Sequence, residues 1–213
     1  MAAVDPLELW ITQIFKIKIM TSTSQPPVID AQAVATASSL RRLYFTRAAF
    51  SVTWVILVAL FAKTSMGIAS FLLIIYPAWD VAGTFFDIRA NQGNTSKAPQ
   101  YVNVVISSAT TVAAGIALQK GVPEALIVFG AWAIATGLIQ LILGIRRRKS
   151  LGGQWPMIIS GGQSMIGGVS FILLAHDPAK GITSLAGYAA FGAFYYLLAA
   201  FRLSRAVSRV ASA

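Results

Sequence analysis

Seven side chains in this 213-residue sequence have the type and placing for chemistry inside an apolar protein: Arg47, Asp80, Asp87, Asn103, Gln140, Gln163 and His176. An ionised group withdrawn from water needs a counter-charge or hydrogen-bond donors, so each acid or base in an apolar run is a functional candidate. Asp80 lies within the run from about Thr64 to Ile88, and Arg47 lies near the start of the run before it, about Leu43 to Ala62. Equal steps back from a turn near Thr64 set Arg47 opposite Asp80, which predicts an ion pair, and set Arg41 or Arg42 near Asp87. Asp80 and Asp87 are two helical turns apart and share a face. Two chemistries fit the Arg47–Asp80 pair: a structural contact that fixes the register of a hairpin, or a proton or ion relay. The same folding-back predicts an interhelical hydrogen bond from Asn103 to Gln140 and a cation–π contact of Arg202 on Trp155. His176 stands beside Asp177 at a turn, and an imidazole, with an ordinary pKa of about 6.5, is the group that responds to external acid.

Composition removes other chemistries. With no cysteine there is no disulfide, no thiolate nucleophile and no cysteine-based metal site. One histidine and no clustered acids offer neither a metal cage nor acid–base machinery. The sequence therefore predicts no catalytic, metal-binding or cofactor-binding residue and a protein that is not an enzyme.

These side chains must be positioned by a membrane architecture. Hydrophobic residues make up 56% of the chain and charged residues 11%, against about 25% charged in soluble domains. From Ala125 to Ile145 only Thr136 and Gln140 are polar, a stretch of the roughly twenty residues that a spanning helix needs. Arg146-Arg147-Arg148-Lys149 closes it, as expected of a loop at a cytoplasmic face. Five more runs of this kind fall at about Leu43–Ala62, Thr64–Ile88, Tyr101–Leu118, Trp155–Ala175 and Ile182–Leu203. Residues 1–40 read as an extension with a short amphipathic interfacial helix after Asp5 and a flexible linker, residues 41–205 as the membrane domain, and residues 206–213 as a basic tail. Translation from Met1 and from Met20 are both open readings, since the segment after Met20 has the composition of a flexible N-terminus. Fourteen Lys and Arg fall on the side of the termini and three on the other, which predicts both termini in the cytoplasm. The net charge of +10 then serves topology and contact with anionic head groups, above all at Arg146–Lys149, rather than nucleic acid.

A pattern repeats every hairpin: Tyr76-Pro-Ala-Trp79, Phe129-Gly-Ala-Trp132 and Tyr188-Ala-Ala-Phe191, with Ser51, Ser107 and Ser164 at matching places in the helix before each. The fold predicted is an all-α membrane protein, six transmembrane helices arranged as three repeated hairpins related by an axis along the membrane normal. Gly161, Gly162, Gly167 and Gly168 give the fifth helix a small-residue surface, expected to pack against the third and sixth helices.

Trp132 to Gly144, the cations Arg146 to Lys149, Gly153-Gln154-Trp155 and Ile159-Ser160-Gly161-Gly162 together carry a resemblance to the HdeD family of bacterial inner-membrane proteins. The resemblance covers about Leu40 to Arg205 and implies a bacterial cytoplasmic-membrane protein with a role in acid or envelope stress, without active-site residues to carry over. A role of that kind would work through packing, lipid contact, a protein partner or a homo-oligomer. The alternative is a small transporter or channel using Asp80 and a polar path near Gln140 and Gln163. The two separate on convergence: one cavity shared by Asp80, Gln140 and Gln163 favours transport, and separate neighbours for each favour a scaffold.

Overall fold

The computed structural model describes residues 28–90, 96–151, 154–177 and 179–211. The expected interfacial helix after Asp5 lies outside the described residues. The chain divides into two compact units, residues 1–32 and 33–213, and the bundle described below is the second. The helices are α1 (Val28–Phe61, in this unit from residue 33), α2 (Met66–Ala90), α3 (Ala98–Leu118), α4 (Val122–Leu151), α5 (Trp155–Leu173) and α6 (Ser184–Ala211). All six are long and apolar enough to cross a membrane, and no strand occurs among the described residues. The fold is the all-α membrane architecture that the apolar runs predict.

Local sequence sets the helix ends. Pro99 and Pro156 sit in the first turns of α3 and α5, where a missing N–H costs nothing. Gly121, between α3 and α4, has φ +146°, a conformation that disfavours any side chain and so forces a short reversal. Pro77 inside α2 leaves the Leu73 carbonyl without its usual intrahelical donor, and the adjacent Leu72 carbonyl accepts a bond from Trp54 Nε1 at 2.7 Å. Two ends differ from expectation. α1 begins well before Leu43, and α4 continues helical through the four cations to Leu151, so Arg146–Lys149 is a helical turn rather than a loop. A helix spreads consecutive residues around its axis, so one of the four cations can point inward while its neighbours stay outside.

The tightest packing joins α4 to α5, between two hairpins rather than within one. A Cβ on Gly168 would lie 2.5 Å from the Gly130 carbonyl oxygen, and one on Gly161 would lie 2.6 Å from that of Gly137. Gly130, Gly137 and Gly144 recur every seven residues; the first two face Gly168 and Gly161, also seven apart, and Gly144 faces Met157 and Ile158. The expectation that the fifth-helix glycines meet the third helix is therefore corrected: Gly161 and Gly168 face α4, and only Gly167 reaches the sixth helix, at Tyr188. Two glycine surfaces in register let backbones touch, and dispersion then replaces the hydrophobic drive that lipid does not supply.

The repeated aromatics converge. Phe129 lies 5.8 Å from Tyr76, 4.9 Å from Trp132 and 5.8 Å from Tyr188, ring centre to ring centre. Each repeat serine pairs with an aromatic of the following helix: Ser51 with Tyr76, Ser107 with Trp132 and Ser164 with Tyr188. The repeat is thus a packing unit in which a hydroxyl satisfies the polar edge of a buried ring.

Candidate functional site: a polar cavity between two ion pairs

Asp80 is the centre of a five-helix knot. Arg47 Nη1 on α1 donates to its Oδ1 at 2.6 Å, while Asn103 Nδ2 and Ser107 Oγ on α3 donate to Oδ2 at 2.6 and 2.8 Å. Trp132 Nε1 on α4 donates to Ser107 Oγ at 2.9 Å, and Arg47 Nη1 donates to the Tyr196 hydroxyl on α6 at 3.1 Å. The Tyr196 ring also lies under the guanidinium, 5.6 Å from its centroid. Thr84 accepts from both Arg47 Nη2 and Asn103 Nδ2. Gly83 makes room for all this: a Cβ there would lie 2.8 Å from Arg47 Nη2. The predicted Arg47–Asp80 pair is present, with both side chains 14% exposed. A carboxylate whose two oxygens hold three donors is compensated in place.

The predicted Asn103–Gln140 bond is absent, since the Asn103 amide is taken by Asp80 and Thr84. Gln140 Nε2 donates to the Met157 carbonyl at 3.3 Å instead. An ionised acceptor binds an amide more strongly than a neutral one does, and equal depth in a hairpin does not set the rotation of a helix about its axis.

Asp87 is corrected as well. Its partner is Arg147, whose Nη2 donates to both carboxylate oxygens at 2.8 Å, not Arg41 or Arg42. Leu40, Leu43 and Tyr44 turn inward on α1, which leaves Arg42 exposed and Arg41 half-exposed. Arg147 also meets Gln100, whose amide oxygen accepts from Nη2 at 3.3 Å while its nitrogen donates to the Lys97 carbonyl at 3.2 Å. Arg146, Arg148 and Lys149 are exposed, whereas Arg147 is partly buried.

Between these pairs and the aromatic cluster lies a cavity of about 380 Å³. Asp80, Gln140 and Gln163 all contribute to its wall, together with both arginines of the ion pairs and the aromatic rings Tyr76, Trp132 and Tyr188. Asp87, Arg147, Gln100 and Gln154 form one part of its wall, and Tyr76, Trp132 and Tyr188 with Phe171 another. Two donors on the wall have no partner in the protein: Trp79 Nε1 and Gln154 Nε2. Gln154 is 1% exposed and accepts from the Tyr44 hydroxyl at 3.4 Å through its other amide atom. A buried N–H without a partner costs about 1–3 kcal/mol, and both residues border the cavity. The arrangement can hold one small molecule that offers acceptors.

Among the described residues no three His, Asp or Glu gather as a metal cage would require. His176 is exposed in the α5–α6 turn and takes no part in the wall, and its neighbour Asp177 accepts from the Ala179 N–H at 2.9 Å. Arg202 does lie over the Trp155 ring, 5.1 Å from its centroid. Sequence reasoning missed Arg147, Gln154 and Tyr196. The signal for Arg147 was present, because a helical reading of the cation run turns one of its members inward; Gln154 stood in the Gly153-Gln154-Trp155 motif without a sign of its burial, and nothing local marked Tyr196.

Comparison with known proteins adds no relative: no family model matches the chain, and neither a curated protein nor a solved structure does.

Proposed function

We propose that this protein is a non-enzymatic, multi-pass membrane protein that binds a small molecule in its central cavity and carries it through or out of the bilayer. One observation carries the reading: Asp80, Gln140 and Gln163, far apart in sequence, border a single cavity of about 380 Å³. That volume falls within the range of about 300–1,000 Å³ usual for small-molecule sites. The excess of Lys and Arg at the termini and at Arg146–Lys149 supports a cytoplasmic position for both ends. The resemblance to the HdeD family supports the inner membrane of a bacterium.

The natural absence of cysteine makes the test direct, since each introduced thiol is the only one. Gln163→Cys and Gln140→Cys, in membrane vesicles holding the full chain, are expected to react with a permanently charged methanethiosulfonate. Leu138→Cys, on the outward face of α4 and 44% exposed, is expected to be shielded by lipid and stay unmodified. If neither glutamine position reacts from either side, the cavity never meets water and transport is excluded. Reagent confined to one side also reports orientation: Lys63→Cys should react only from outside and Lys149→Cys only from within.

A second reading has its own observation. Asp80 is saturated by Arg47, Asn103 and Ser107, which suits a packing knot better than a proton relay. On that reading the protein is a scaffold of the HdeD type acting in envelope or acid stress, and a deletion strain surviving acid as well as its parent would remove the stress role.

A further inference from the structure

The cavity has its mouth in the side of the bundle. Ile166 on α5 and Phe191 on α6 both border it, yet Ile166 is 71% and Phe191 57% exposed. A side chain that is mostly exposed and still borders a cavity marks the opening. Both residues sit at least seven residues inside the spans Trp155–Leu173 and Ser184–Ser204, on faces that continue as Ile159, Val169 and Leu173 of α5 and Phe194 of α6, all exposed and apolar. An opening at that height, in that belt, meets hydrocarbon rather than water. A small residue keeps it open on the α6 side: Gly187 borders the cavity, and a Cβ there would touch nothing within 4 Å.

The inner wall is part aromatic, with Tyr76, Trp132 and Tyr188, and part polar, with Trp79 and Gln154 each carrying an unpartnered N–H. The charged groups on the wall cancel in pairs, Arg47 against Asp80 and Arg147 against Asp87. What the wall lacks is therefore acceptors, not a counter-ion. The volume of about 380 Å³ lies near the low end of small-molecule sites, too little for the body of a two-chain phospholipid.

We infer that the cavity takes a single-chain amphiphile from the bilayer through the gap between α5 and α6, with an oxygen-bearing head group accepting from the Trp79 N–H and its acyl chain leaving past Ile166 and Phe191. This rests on the cavity being a binding site and names what it binds and how that ligand enters. A fatty acid in its protonated form and a monoacylglycerol share the required chemistry, one chain and uncharged carbonyl-type acceptors.

The experiment uses the full chain in phospholipid vesicles and a fatty acid carrying a photoreactive diazirine in its chain. Adducts are expected on the peptides that hold Ile166 and Phe191, and excess unlabelled fatty acid or monoacylglycerol should suppress them; whichever competes at lower concentration identifies the head group. An alkane of equal length, without acceptors, should compete poorly. Gly187→Leu puts a side chain where a Cβ meets nothing within 4 Å and should cut the labelling, while Trp79→Phe keeps an aromatic ring and removes its N–H. The latter should raise the competitor concentration needed by about fivefold, the loss of one neutral hydrogen bond. Labelling spread evenly over the lipid-facing surface, or untouched by competitor and by Gly187→Leu, overturns the inference. Failure here with Gln163→Cys still modified from water leaves the cavity reading intact and removes only the amphiphile; an unreactive Gln163→Cys with saturable labelling keeps the amphiphile and removes transport.

Discussion

Helix α4 is held by different physics on its two sides. Toward α5 it offers Gly130 and Gly137, whose backbones touch those of Gly168 and Gly161. Toward α2 and α3 it offers Arg147 and Trp132, which end on Asp87 and Ser107. The first joint is made by shape and has no room for one more carbon. The second is made by charge and tolerates changes of shape, but not the loss of one partner. The cavity lies on the side of the second joint, for a physical reason: backbones in contact leave no volume, whereas long polar side chains meeting at their tips hold helices apart. A bundle with glycine seams all round would be sealed, and one with ion pairs all round would pay desolvation at every contact.

The sharpest way to break this contrast is to remove one charge. Arg147→Met leaves Asp87 buried without its partner, and breaking a buried pair costs about 3–5 kcal/mol. Denaturant unfolding in micelles should show a loss of that size, with most of it recovered in Arg147→Met combined with Asp87→Leu. If the single variant is as stable as the parent, the charged joint does not hold the helices. The glycine seam should respond next. Gly168→Ala places its Cβ against the Gly130 carbonyl and the Ile134 backbone, and overpacking of this kind costs about 1–3 kcal/mol. No partner change rescues it, because the obstacle is backbone. Gly83→Ala should cost less, about 1 kcal/mol, because the obstacle is the guanidinium of Arg47, which can move at the expense of a hydrogen bond. Its signature is specific: the variant should lose stability in the parent and lose almost nothing in an Arg47→Met background.

How much of this the sequence carried differs between the two joints. The six helices were legible because a bilayer imposes length and composition on every span, and the Arg47–Asp80 pair was legible because hairpin geometry fixes depth. Depth alone is what folding back can give. It places Arg41 and Asn103 at suitable heights and says nothing of which way α1 or α3 is turned, so their predicted partners Asp87 and Gln140 belong instead to Arg147 and to the Met157 carbonyl. The glycine seam was half legible: Gly161 and Gly168 announced a close approach, but matching them to Gly130 and Gly137 required noticing a second period of seven one helix earlier. The cavity was legible only as a condition, since a void is a property of how three hairpins fail to fill a centre and no single segment encodes it.

The smallest expected effect is the most discriminating. Gly161 and Gly162 are neighbours on α5, identical in type and in intrinsic helix propensity, so any difference between their substitutions reads packing alone. A Cβ on Gly161 meets the Gly137 carbonyl at 2.6 Å and the Leu141 amide nitrogen at 2.7 Å; one on Gly162 meets nothing within 4 Å. Gly161→Ala should therefore destabilise by an amount like that of Gly168→Ala. Gly162→Ala should be neutral or stabilising by up to about 1 kcal/mol, because alanine favours helix over glycine by about that much when no contact opposes it. Unfolding of the two variants side by side measures the difference. Equal losses at the two positions would mean that α5 is rotated from the face described here, which would bring Gly162 into the seam and displace Ser164 and Gln163 from the cavity wall. A neutral Gly162→Ala beside a damaging Gly161→Ala fixes the rotation of α5, and with it the side of that helix on which the mouth opens.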